Sequence, residues 1–438
     1  MRTRRERKSL LRRNHGLLVT AASALSLVQR LAALTAFWVI VFCLSVARPI
    51  WKVRVARFRS EKLGHFISET DLALALICAE EAKGRRMTNL FLMPEQACNE
   101  QLRKMYLRTA VEAPGVKVID CRTSLLGRLL LPAVIEITYR AQNRGKLRRL
   151  FCGSPTSSGL SHTGMLSPRS PRLTFTSEEI QEGWRLSSGL GLSPATPYVC
   201  VHIRDEAYLK LVEPDRDWSY HNYRNPEIES YQSVVSELLD MGYWVVRMGR
   251  AAEREFPVRD PRFIDYPFCH EKSDLLDVFL YAHARIAIAG SASGIDQIGY
   301  AFDVPAVVTN LIPFEPFMPV SSVYVTPVLL RYRKSGLILP LEEMLTHSHH
   351  TGRLYDHEGI DFVRNTSGEI CSVVQEALGV RTNVVDVNES KQSLFWSKAR
   401  QLGLFSGAEV GPPGSVYANP IIGSAFLNAH WDELMSSG

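Results

Sequence analysis

The sequence reads as an α/β protein built on parallel sheets. Three observations carry that expectation. Strand-length apolar runs alternate with helix-length amphipathic runs through 53–120 and again through 196–312, the rhythm that folds into a parallel sheet with crossover helices. The strand runs of the second stretch are apolar throughout, as strands covered on both faces must be. The chain has 438 residues, 46% hydrophobic and 22% charged, an ordinary balance for two or three globular domains with sizeable cores.

The elements follow in order. VRVARF (53–58) reads as a strand, and after Lys62-Leu63-Gly64-His65-Phe66 comes a helical stretch around 68–83. NLFLMP (89–94) is the next strand, 95–108 the next helix, and VKVID (116–120) a third strand. Residues 125–150 are apolar at first and then carry Arg140, Arg144, Lys146, Arg148 and Arg149, a pattern that suits an anionic lipid surface or an amphipathic helix with a solvated basic end. Ser, Gly and Pro dominate 152–176, which reads as a linker. In the second stretch, 197–204, 243–249, 285–290 and 304–310 read as strands, with helices at 226–242, 273–284 and 295–302.

The net charge of +6 sits entirely in residues 1–13, so 14–438 is neutral and the charge offers no argument for nucleic acid. Residues 31–47 are uncharged and bracketed by Arg30 and Arg48. Three readings stay open: a short transmembrane or re-entrant anchor, an interfacial helix on anionic lipid, or a signal peptide or buried helix. The eight cysteines show no C-x-x-C pair, which signals neither a zinc site nor a disulfide framework and fits buried thiols in a reducing compartment. Asn365-Thr366-Ser367 and Asn388-Glu389-Ser390 are glycosylation sequons, relevant only to a luminal body.

Five motifs carry chemistry. Gly290-Ser291-Ala292-Ser293-Gly294 links a strand to a helix with small residues, so amides and a helix dipole can face a phosphate; Ser293 with Asp296 is equally a capping box. His202 and Arg204 share one face at the end of their strand, where Arg204 suits a pyrophosphate or an ion pair with Asp277. The loop Ser219–Asn225 presents His221 and Arg224, with Asn225 placed to cap the helix that follows. Arg247 and Gly249 end a further strand on the same edge. His65 stands where a strand turns into a helix, as a phosphate contact, a base or a structural residue.

These segments (HIRDEAYL at 202–209, YHNYRNPEIESY at 220–231, GYWVVRMG at 242–249, SDLLDVFL at 273–280, SASG at 291–294 and KLGHF at 62–66) resemble a family of bacterial glycosyltransferases found with surface-polysaccharide genes. The His-x-Arg strand is also similar to the fucosyltransferase-like branch of the GT-B fold, though Asp205 stands where that branch often has a second arginine.

The resemblance implies a GT-B-like pair of Rossmann-like domains facing across a cleft, plus an N-terminal membrane-associated helix. The expected divisions are 1–50 as basic start and anchor, 51–151 as acceptor domain, 152–195 as linker, 196–385 as nucleotide-sugar domain, and 386–438 as a tail packing back. It also implies a nucleotide-sugar donor, a glycan or lipid-linked acceptor, no resident metal or cofactor, and a cytoplasmic body anchored to the bacterial inner membrane. Carried over by motif, Arg204, His202, His65 and His221 form the catalytic set. Arg204, Arg224, Arg247, Gly249, Ser291, Ser293 and Gly294 hold the donor. The base stays open among His65, Asp205, His221 and Asp71. The rivals are another nucleotide-sugar enzyme, an epimerase or pyruvyl transferase, and a non-catalytic membrane-tethered binding module.

Overall fold

A computed structural model describes residues 53–82, 84, 87–141, 172–314, 323–347, 351–380, 385–402 and 420–436, with Thr35, Trp38, Val39, Phe42 and Val46. In chain order come β1 (Val53–Arg57), α1 (Leu63–Ala82), β2 (Thr88–Met93), α2 (Glu100–Thr109), β3 (Val116–Asp120) and α3 (Leu125–Ala141). Then follow α4 (Ser177–Gly189), β4 (Tyr198–Ile203), α5 (Gln232–Asp240), β5 (Trp244–Arg247), β6 (Phe263–Asp265), α6 (Asp274–Ala282) and β7 (Ala287–Gly290). The last stretch adds α7 (Gln297–Ala301), β8 (Ala306–Leu311), β9 (Val323–Pro327), β10 (Leu329–Tyr332), β11 (Ile360–Val363), α8 (Ser367–Ala377), α9 (Val385–Gln401) and β12 (Ile421–Ile422), with shorter helical turns between. The expected α/β class with parallel sheets is what the chain adopts.

The chain forms two compact units that do not follow its linear order. One gathers the described residues of 1–58, 84–95 and 115–154; the other those of 59–83, 96–114 and 155–438. Residues 51–151, expected as a single domain, are therefore divided between them.

The first unit holds a parallel sheet in the order β1-β2-β3 with helix α3. Gly127 lets α3 approach β3 closely: a Cβ there would lie 2.7 Å from Ile119 Cγ2. Gly127 and Val134 are buried, while Leu125, Leu126, Leu129 and Ile135 stand exposed on the other side. At 100° per residue, α3 is a helix whose outward face is also apolar.

The second unit holds a seven-stranded sheet in the order β12-β9-β8-β7-β4-β5-β6, all pairs parallel. Both faces are covered, so β4, β7 and β8 are buried almost throughout. Helices α1 and α2 belong to this unit for visible reasons. Asn99 caps α2 by accepting from Leu102 N–H at 2.9 Å and donates to Asp274 O at 2.9 Å. The Glu100 N–H donates to the Asp274 carboxylate at 2.7 Å, and Arg108 pairs with Glu179 on α4 at 2.8 Å.

One local expectation shifts, and two features of the second unit add to the reading. The helix read over 226–242 is a 3-10 turn over Ile228–Tyr231 followed by α5. Strand β6, three residues long, and strand β12, two residues long, give no signal in the sequence, because segments so short carry no period. The tail residues Phe395, Trp396, Phe426 and Leu427 are buried against the β8–β9 side of the sheet.

Among the described residues no helix is long and apolar enough to cross a membrane. The expected anchor 31–47 lies outside the described residues except for Thr35, Trp38, Val39, Phe42 and Val46. The basic run 142–149 and the linker 152–171 lie outside them too.

Asp277 gives the fold a measurable pH signature. It is buried on α6 and accepts from Tyr266 Oη at 2.7 Å, and burial above all pushes its carboxyl up to about 6. A native acid raised from an ordinary value near 4 binds its proton more tightly than the unfolded chain does. Its contribution is therefore present at low pH and lost as pH rises from about 4 to about 6, by up to roughly 3 kcal/mol. Asp277→Asn keeps the acceptor for Tyr266 and is expected to flatten that part of a urea-denaturation series against pH. An unchanged pH slope would show that Asp277 is not the source.

Candidate functional site

The second unit brings four chain segments to the C-terminal ends of its central strands. Parallel register sets Ile203 of β4 opposite Gly290 of β7 and Val201 opposite Arg247 of β5. In open parallel sheets this edge is where ligands collect.

The turn after β7 is built under constraint. Gly290 has no room for a side chain, since a Cβ would lie 2.8 Å from Tyr231 Oη. Tyr231 is itself fixed by Thr309 Oγ1 at 2.7 Å and Asn310 Nδ2 at 3.0 Å. Ser291 then adopts φ 67°, left-handed backbone that costs a residue with a Cβ about 1 kcal/mol or more. Its N–H is tied to Thr309 O at 2.7 Å, yet its fully buried Oγ has no hydrogen-bond partner among the described residues. The Ser293 N–H donates to Asp296 Oδ2 at 2.8 Å, the backbone half of the expected capping box.

Gly294 meets Gly64 at the start of α1. A Cβ on Gly64 would lie 2.9 Å from Gly294 Cα, and one on Gly294 would lie 2.9 Å from Gly64 N. Only two glycines permit this approach, and it sets the first turn of α1 beside the 290–294 turn. Lys62, two residues earlier, lies over the Trp218 ring at 5.0 Å.

The cations arrive from β4 and the loop at 219–225. Arg204 is buried and donates to Asn225 Oδ1 and to His221 O at 3.4 Å. The expected alternative partner, Asp277, is engaged with Tyr266 instead. Arg224 donates to Ala292 O, which joins the loop to the turn. Neither arginine forms an ion pair among the described residues. Burial first, then the neighbouring Arg224, pull the Arg204 guanidinium down to about 10, so it keeps its charge at neutral pH.

The histidines divide by environment. Burial, then Arg224, Arg204, Arg216 and Lys62, depress His221 to about 4, and its Nδ1 has no hydrogen-bond partner among the described residues. His202 Nδ1 lies 3.4 Å from Asp296 Oδ1 without a directed hydrogen bond. His65 differs: its ring is about half exposed, and Nδ1 contacts Glu69 Oε1 at 2.7 Å, one helical turn on. Glu69 is buried, and the same Oε1 accepts from Arg59 at 2.6 Å.

Arg204, Arg224, His202, His221, Ser291, Ser293, Gly294 and the α1 start carrying His65 are thus gathered at one edge. Arg247 is not free to join them. It is buried, donates to Arg254 O at 2.8 Å, and pairs with Asp265 at 3.2 Å and Asp205 at 3.9 Å. Its charge is matched because β6, which the sequence does not signal, brings Asp265 directly opposite. Gly249 takes φ 146° in the bend after β5.

Three further residues matter at this edge. Asn225, expected only as a helix cap, grips Arg204. Glu69 stands at the i+4 spacing from His65 that a search for helical pairs would find. Arg364, just past β11, donates to Tyr223 O at 3.1 Å and leaves Nη1 buried and unsatisfied. The sequence also holds a D-x-D triplet, Asp215-Arg216-Asp217, whose last two residues are engaged within the protein. Asp217 accepts from Ser219 N–H at 3.0 Å and pairs with Arg353 at 2.9 Å, while Arg216 lies on the Trp218 ring at 4.2 Å.

No protein-family model and no curated protein matches the chain. Solved structures give faint likenesses. A family 9 glycosyl transferase from Veillonella parvula is 11% identical, with 75% of this chain and 98% of that one aligned, at a TM-score of 0.42. The ADP-heptose lipopolysaccharide heptosyltransferase II of E. coli is 14% identical over 63% and 90%, at 0.35. A UDP co-structure of MnaA from S. aureus is 10% identical over 76% and 98%, at 0.26. Likeness at such scores does not by itself establish a shared fold.

Ser291 yields a two-sided expectation. Ser291→Gly relieves the left-handed strain and removes a buried unsatisfied hydroxyl, so the ligand-free protein is expected to gain about 1 kcal/mol. Any ligand that accepts from that hydroxyl should bind about tenfold more weakly, the loss of one hydrogen bond. A lower melting temperature would show that the Ser291 side chain supports the fold rather than a ligand.

Proposed function

We propose that the chain is a glycosyltransferase that moves a hexosyl or deoxyhexosyl group from a nucleoside-diphosphate sugar to a hydroxyl of a glycan or lipid-linked acceptor in surface-polysaccharide synthesis. One observation carries the reading. Arg204 and Arg224, neither balanced by an ion pair among the described residues, lie beside a strained turn of small residues, where Arg224 bonds Ala292 O and where Ser291 Oγ and His221 Nδ1 are buried with no hydrogen-bond partner among those residues. Buried polar atoms are normally satisfied, and adjacent cations normally carry an anion between them. A diphosphate supplies both charge and acceptors. Chemically, the pair would stabilise the charge that grows on the leaving diphosphate as the sugar–oxygen bond breaks.

We place the body at the cytoplasmic face of the bacterial inner membrane. The outward side of α3 presents Leu125 at 68% and Leu129 at 63% exposure, with Arg128 exposed between them. The sequence beyond α3 is basic, which suits anionic headgroups. The described cysteines are free thiols. Asn365 is no usable sequon: it is buried and its amide bonds Asn310 N–H, Thr326 and Pro327 O.

The donor site is tested by thermal shift against UDP-, GDP-, ADP- and CMP-sugars. At least one should stabilise the protein, and Arg204→Ala should abolish that shift with Arg204→Lys failing to restore it, because a bidentate planar fork is lost. No stabilisation by any of them would overturn the reading. Transfer to an acceptor separates it from an epimerase, which would return isomerised free donor. For the membrane, Leu125→Glu with Leu129→Glu is expected to weaken co-sedimentation with phosphatidylglycerol vesicles by about tenfold. Unchanged sedimentation would remove α3 from that surface.

A further inference from the structure

We infer that His65 is the general base toward the acceptor hydroxyl, with Glu69 and Arg59 as the residues that position it. The inference rests on the donor site proposed above and assigns the second half of its chemistry.

The other candidates are disqualified by what they touch. Asp205 accepts from Ala207 N–H and from Glu253 N–H, each at 3.0 Å, so both oxygens are engaged in holding the chain. Asp71 takes the Tyr106 hydroxyl at 2.8 Å in the packing between α1 and α2. His221 lies among Arg204, Arg224, Arg216 and Lys62, where a second positive charge is opposed. His202 faces Asp296, but that carboxylate already accepts from Ser293 N–H and from Tyr281 Oη at 3.1 Å.

His65 alone combines a directed carboxylate partner with an exposed ring. With Nδ1–H donating to Glu69 Oε1, the tautomer that a carboxylate acceptor favours, the lone pair stands on Nε2, the ring's other nitrogen. Glu69 cannot swing away easily. It is buried on the same helix, Arg59 clamps the same oxygen, and Oε2 has no competing hydrogen-bond partner among the described residues. The Gly64–Gly294 contact fixes this assembly against the turn that faces the donor, since His65 is the next residue.

The step balances as a single displacement. The acceptor oxygen forms a bond to the anomeric carbon, and its proton passes to Nε2. The bond from that carbon to the diphosphate oxygen breaks, and the electron pair leaves on the diphosphate beside Arg204 and Arg224. The imidazolium that results is compensated by Glu69 until it gives the proton to solvent.

The test uses the full-length chain and the sugar nucleotide that gives the largest thermal shift, reading release of nucleoside diphosphate. His65→Ala is expected to lower kcat by about a hundredfold while the donor KM stays within about threefold. Added imidazole should restore at least part of that rate. Glu69→Gln keeps an acceptor for Nδ1 but loses the charge, and should lower kcat by about tenfold with the donor KM and melting temperature unchanged. Wild-type kcat in His65→Ala, or loss of donor binding together with kcat and without imidazole rescue, would overturn the assignment. Failure of every sugar nucleotide to stabilise the wild-type protein would instead overturn the donor site beneath it.

Discussion

Two guanidinium groups held near each other, with no ion pair to either among the described residues, are the feature on which the proposed chemistry turns. Arg204 and Arg224 repel, and burial deepens the cost for Arg204. The fold accommodates that cost with neutral acceptors, Asn225 Oδ1 and the carbonyls of His221 and Ala292, rather than with carboxylates. Neutral acceptors steer a cation without cancelling its charge. The field at that edge is therefore left for an incoming anion. Arg247 shows the contrast within the same sheet: buried to a similar degree, it is matched by Asp265 and has nothing left to offer.

The same edge spends backbone conformation as well as charge. Gly290 yields its side-chain space to Tyr231, Ser291 takes left-handed backbone, and Gly294 touches Gly64. Each arrangement is unfavourable locally and persists because the buried network around Tyr231, Thr309, Asn310 and Asn365 over-determines it. Strain of this kind gathers where a structure is shaped for a ligand rather than for its own stability. That network also accounts for Asn365, a sequon in the sequence and a core amide in the fold.

Much of this is legible in the order of the amino acids. The strands in 197–204, 285–290 and 304–310 stand out because parallel strands are apolar over lengths that helices do not match. Arg204, Ser291 and Gly294 stand out because strand ends and small-residue turns are where a parallel sheet meets its ligands. What the sequence hides is pairing at a distance. Arg247 looks free because Asp265, eighteen residues on, sits on a strand too short to show a period. Asn225 suits a local cap so well that its bond to Arg204, twenty-one residues back, has no signal. Helices α1 and α2 look like parts of the first sheet because they lie between its strands, but Asn99 and Arg108 tie α2 to the second unit.

The central claim is that a diphosphate belongs between the two arginines. An experimental structure with a bound nucleoside diphosphate addresses it most directly. The account predicts phosphate oxygens within about 3 Å of the guanidinium groups of both Arg204 and Arg224, with Ser291 Oγ donating to one of them. A nucleotide bound elsewhere, with Arg204 still on Asn225 and Arg224 still on Ala292 and no phosphate between them, would contradict it.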